Sequence, residues 1–125
     1  MYIKSLTAKN FRNYAREEIF LSPETNVFYG NNAQGKTNLL EACYLFSHGR
    51  SHRARTDSEL IRFGENLFTL RATFVDKRRE YDAQISINTE GKKLIKINNV
   101  PITKLSQLMN YLNVVMFTPD DLELI

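Results

Sequence analysis

The sequence predicts an α/β fold, in which a strand–loop–helix unit that cradles phosphate is joined to an antiparallel β-meander. Three observations lead there. The stretch Gly30, Asn31, Asn32, Ala33, Gln34, Gly35, Lys36, Thr37 satisfies the pattern G-x-x-x-x-G-K-[ST] in full. Residues 25–29 before it are β-prone, and residues 38–46 after it put Leu39, Leu40, Cys43 and Phe46 at the spacing of one helix face. From Leu67 the apolar period changes to two, with Phe68, Leu70, Ala72 and Phe74 sharing one strand face and Tyr81, Ala83, Ile85 and Ile87 the next.

Taken in order, residues 2–8 read as a first strand, residues 9–14 as a polar turn holding two aromatics, and residues 17–21 as a second strand. Ser22-Pro23-Glu24 turns into the strand that leads to the glycine-bounded loop. The helix after the loop is expected to stop at Gly49. Asp57 is expected to cap a short helix that holds Leu60 and Ile61 and ends near Gly64. In the meander, Asp76-Lys77-Arg78, Thr89-Glu90-Gly91 and Asn98-Asn99 are turns, and residues 94–97 are its third strand. Thr103 caps a helix through Leu112, residues 113–117 form a buried strand, and a last helix begins near Leu122. A helix with so little room to run suggests a segment of a longer chain.

The loop chemistry follows from the needs of a triphosphate. Gly30 and Gly35 admit backbone angles closed to other residues, so consecutive N–H groups can turn inward. The helix start adds unpaired N–H groups and a dipole contributing about 0.3–2 kcal/mol. Lys36 supplies a full positive charge to the β- and γ-phosphates, and the Thr37 hydroxyl is a hard oxygen ligand for Mg2+. This makes the unit a P-loop NTPase element.

Composition bounds the rest. The chain has 125 residues, 42% hydrophobic and 25% charged, enough for one globular core. No apolar run approaches the length of a membrane-spanning helix, and Tyr2-Ile3-Lys4 after Met1 is no signal region. The single Cys43 cannot form an internal disulfide, which suits a reducing, cytoplasmic setting. A net charge of +3 permits nucleic-acid binding without arguing for it. Residues 48–55 concentrate Arg50, Arg53 and Arg55 with two His. These arginines are candidate contacts to DNA phosphates, or else face solvent, the nucleotide or a partner subunit. His48 and His52 have no fixed acidic ligand nearby and make a poor metal pair.

Five stretches in order along the chain carry a resemblance: Phe11-Arg12-Asn13-Tyr14, the 30–37 loop, Asn38-Leu39-Leu40-Glu41-Ala42, Ser51-His52-Arg53 and Phe117-Thr118-Pro119-Asp120. Together they resemble the bacterial RecF family of ABC-type ATPases, relatives of Rad50 and the SMC proteins. The resemblance implies the first lobe of an ABC-ATPase-like domain that binds ATP and Mg2+. It implies a homodimer formed around ATP, slow DNA-stimulated hydrolysis, and binding to duplex DNA or single-/double-strand junctions. It further implies work in recombinational and gap repair and replication, linked to the SOS response, with a RecR-type mediator as partner. Arg12 and Asn13 would lie near the nucleotide. Ala33 stands where the wider ABC-type pattern often has Gly, which costs little if the backbone angle is negative.

Such ATPases also need a strand ending in Asp-Glu and a signature loop, and neither is evident in residues 1–125. Asp120 or Asp121 falls where a Gln-bearing loop is expected. The fragment alone is therefore expected not to hydrolyse ATP. A stand-alone nucleotide kinase or GTPase would bring base-specificity motifs and a second Mg2+-orienting Asp, which the sequence lacks. A non-catalytic nucleotide-binding assembly module is the other alternative.

Overall fold

The computed structural model describes residues 2–21, 33–51 and 54–103. Among the described residues its centre is a six-stranded antiparallel sheet in the order β2-β1-β3-β4-β5-β6. The strands are β1 (Tyr2–Phe11), β2 (Tyr14–Phe20), β3 (Leu67–Asp76), β4 (Arg79–Asn88), β5 (Lys93–Ile97) and β6 (Val100–Pro101). Between β2 and β3 the described residues form the helix α1 (Ala33–His48) and one 3-10 turn, Asp57–Leu60.

The period-two reading of the meander holds. Phe68, Leu70, Ala72 and Phe74 of β3 and Ala83, Ile85 and Ile87 of β4 are all buried, in a core shared with Leu6, Ala8 and Phe11 of β1. Ala42, Leu45 and Phe46 of α1 join the same cluster. Alternation sends Ser5, Thr7, Lys9, Thr69, Arg71, Thr73, Asp82 and Gln84 to the opposite sheet face, where they line a polar groove of about 480 Å3. Two hairpin tips use a pair of left-handed residues, Lys77 and Arg78 at φ 51° and 69° and Asn98 and Asn99 at φ 51° and 66°. That pairing matches the twist of the flanking strands. At the third tip, the Asn88 side-chain oxygen accepts the Glu90 and Lys92 N–H groups, and Gly91 takes φ 81°.

Several expectations need correction. The first strand does not stop at Ala8, because Lys9 pairs with Arg16 and Phe11 with Tyr14, leaving Arg12 and Asn13 as the whole turn. Phe11 is fully buried and edge-on to Phe68, 5.3 Å between centroids, so the core extends the strand through a stretch that reads as polar. The short helix is one 3-10 turn that ends at Leu60. Its cap position is held by Thr56 with extended backbone, and Asp57 lies inside the turn. Gly49 does end α1, at φ 73° with its N–H donating to the Leu45 carbonyl at 2.7 Å. The β-prone run at 25–29 and the expected elements from 104 onward, with Asp120 and Asp121, lie outside the described residues.

Candidate nucleotide-binding site

Helix α1 begins at Ala33, inside the G-x-x-x-x-G-K-[ST] stretch. Residues 33–37 therefore contribute helical backbone, and the first turn contains no acidic residue. The N–H groups and dipole of a helix start favour an anion, and the first turn of α1 carries no acidic residue to oppose one. Ala33 takes helical backbone, whose negative φ suits alanine. Gly30, Asn31 and Asn32 lie outside the described residues, as do the side chains of Gln34, Lys36 and Thr37.

The hairpin turn of Arg12 and Asn13 is pinned beside α1. The Arg12 N–H donates to the Leu60 carbonyl at 2.8 Å, and the Arg62 N–H donates to the Asn10 carbonyl at 2.8 Å. Phe11 also forms a bridge with Ile61. Arg12 takes φ 53°, a left-handed angle that favours glycine, and these contacts hold it there. Its guanidinium forks onto Glu41 of α1, Nε to Oε1 at 2.8 Å and Nη2 to Oε2 at 2.8 Å. The hydrogen bonds to Glu41 raise the Arg12 pKa above its ordinary value, against the lowering effect of burial. Next to this pair the Asn38 side-chain amide donates to Asn13 Oδ1 at 2.7 Å. Arg12, Asn13 and Asn38 then line one open hollow of about 640 Å3 with Glu59, Ile61, Arg62 and the fully exposed Phe63.

Residues 1–118 match the AAA ATPase domain family. The chain belongs to that family. Among proteins similar to this AAA ATPase domain is the DNA replication and repair protein RecF of Clostridium botulinum (strain Loch Maree / Type A3). It is 50% identical over the whole chain, which covers 34% of the relative. RecF of Agathobacter rectalis is 45% identical with the same coverage, so the chain spans about a third of the length of these relatives. A solved RecF structure, described as RecF-ATPrS of the RecFOR pathway, superposes with a TM-score of 0.90 at 35% identity. The match covers 99% of this chain and 34% of that one. An SMC ATPase structure at 24% identity shares the fold, with a TM-score of 0.77, 97% of this chain and 83% of that chain covered. The AAA ATPase domain thus has the fold of RecF and SMC ATPase heads, a P-loop α/β lobe with an antiparallel sheet.

Of the arginines expected to meet DNA, Arg50 and Arg55 are exposed and line a second hollow of about 430 Å3 with Tyr44, Ser51, Ala54 and Asp57. Arg53 lies outside the described residues. Tyr44 stacks on His48, with centroids 4.0 Å apart. Sequence reading missed Asn38, Glu41 and Ser51, which tie the hairpin turn and the segment after the helix to α1. Asn38 and Glu41 are fully buried, and Leu40, expected on the buried face, is 45% exposed. The signal was available in the helix period: positions 38, 41, 42, 45 and 46 form one stripe, and two of the five are polar. A carboxylate on a buried stripe needs a cation, and the bidentate geometry selects arginine.

Proposed function

We propose that this AAA ATPase domain is the ATP-binding lobe of a RecF-like, DNA-binding ATPase acting in recombinational repair, gap repair and replication. One observation carries the reading: the long helix after β2 starts within the phosphate-loop motif and has an acid-free first turn. The likeness to RecF proteins and to RecF solved with ATP supports it. Main-chain amides of Gly30, Asn31, Asn32, Ala33, Gln34 and Gly35 wrap the phosphates, and Lys36 pairs with the β- and γ-oxygens. Thr37 holds Mg2+, which supplies Lewis acidity to the phosphate oxygens. Arg12 and Asn13 border the nucleotide from the hairpin turn.

The whole protein, in this reading, dimerises around ATP in the cytoplasm, engages a RecR-type mediator and hydrolyses ATP slowly with parts of the chain beyond Ile125. Arg50, Arg53 and Arg55 meet DNA phosphates. Among the described residues, no helix is long and apolar enough to cross a membrane.

Calorimetry with Mg-ATP tests the core of this. Binding by the wild type and its loss in Lys36→Ala support the reading, and equal heats from the two proteins sink it. Duplex binding by the full-length protein tests the arginines. Each neutralised phosphate contact lowers the slope of log affinity against log salt by about 0.9, so the Arg50→Ala, Arg55→Ala pair flattens it by about 2. An unchanged slope removes these residues from the interface.

A further inference from the structure

Glu41 stands nine residues into α1, beyond the phosphate-loop motif, and is completely buried. Its carboxylate joins three segments. Arg12 brings in the β1–β2 turn through both arms of its fork, at 2.8 Å each. Ser51 brings in the segment after the helix, its Oγ donating to Glu41 Oε2. The same Ser51 Oγ accepts the Ala54 N–H at 3.0 Å, and Arg50 and Arg55 flank these two residues. Packing alone could hold these segments together, and a buried ion pair is often no more stabilising than apolar residues of its volume. A fork of directed bonds does something packing does not, because it admits one relative placement of its members.

Breaking such a pair strands a charge in the interior, which is strongly unfavourable. A displacement of α1 is therefore carried to its partners in preference to being absorbed at Glu41. We propose that Glu41 and Ser51 are positioning residues that transmit nucleotide binding at the start of α1 to the basic segment at 50–55. The proposal rests on the nucleotide-binding reading above and concerns the regulation of that same site. When the loop engages phosphates, α1 settles, and Ser51 holds Ala54 in step with it through its hydroxyl.

Hydrogen exchange of the full-length protein, with and without saturating Mg-ATP, tests this. In the wild type ATP slows exchange of peptides covering 50–55 at least threefold. Glu41→Gln and Ser51→Ala bind Mg-ATP within threefold of wild type by calorimetry, yet lose that slowing. Ser51→Ala removes one hydroxyl from a half-buried position and keeps the test open if Glu41→Gln fails to fold. A merely structural role predicts faster exchange in the variants with the ATP-dependent slowing intact, and that result overturns the proposal. Wild type that binds ATP without slowing at 50–55 overturns it alone. Wild type that binds no ATP ends both readings.

Discussion

Lys93 Nζ lies 2.6 Å from the Gly49 carbonyl oxygen, tying the start of β5 to the residue that ends α1. The ammonium also stands 3.4 Å from Asp57 at the head of the 3-10 turn. A cation at a helix C-terminus meets the negative end of the dipole and satisfies a carbonyl the helix leaves open. The Lys93 side chain is 24% exposed, so water screens the contact only in part. Lys93→Met keeps the aliphatic stem and removes the charge. It should lower stability by about 1–2 kcal/mol in urea unfolding with an unchanged m-value.

Arg12→Ala should be far more damaging than a typical half-exposed arginine substitution. It strands the Glu41 carboxylate in the core, at about 3–5 kcal/mol. Arg12→Lys should recover only part of this, because an ammonium cannot reproduce the fork. A double-mutant cycle with Glu41→Gln measures the coupling; additive losses would show that the two side chains do not act as a pair.

Burial pushes the Cys43 thiol up from 9.0 to about 11. The thiol stays protonated in the folded state while the unfolded chain ionises near 9, so between pH 9 and 11 the unfolded state binds fewer protons. Stability should fall across that window, by at most about 1.4 kcal/mol per pH unit, and be unaffected by Cys43 at lower pH. Cys43→Ala should remove this part of the slope. At pH 8 the native thiol should resist a disulfide reagent until denaturant opens the fold.

The Lys77-Arg78 tip carries two left-handed residues without the types that adopt such angles easily. Lys77→Asn with Arg78→Gly should stabilise the β3–β4 hairpin by about 1 kcal/mol, read as a rise in Tm. Both side chains are exposed, so no packing is lost.

Strand order within the meander was legible because nothing competes with a period-two pattern between short turns. Phe68 to Phe74 and Ala83 to Ile87 alternate, and the structure buries those residues. The phosphate-loop helix was legible from the motif and its glycines. What escaped were features set by tertiary contacts. Lys9 and Asn10 look like turn residues, but β1 is sandwiched between β2 and β3 and the ladder carries it to Phe11. Leu40 looks like core, but the Asn38 and Glu41 side chains have partners 25 and 29 residues away and turn that stripe of the helix inward. A polar residue facing the core is intelligible only once its distant partner is known, and no local window holds both.

The neighbours of β1 also bear on how the molecule assembles. Strands β3, β4 and β5 meet through short turns and can zip up locally. Joining β1 to β3 instead unites positions about 70 residues apart, such as Ile3 with Phe74. Closing so wide a span is the entropically slow event. The phosphate loop lies within that span, so the pocket is expected to be completed at the last and slowest stage of folding, and the nascent chain would pass most of its maturation unable to grip its ligand.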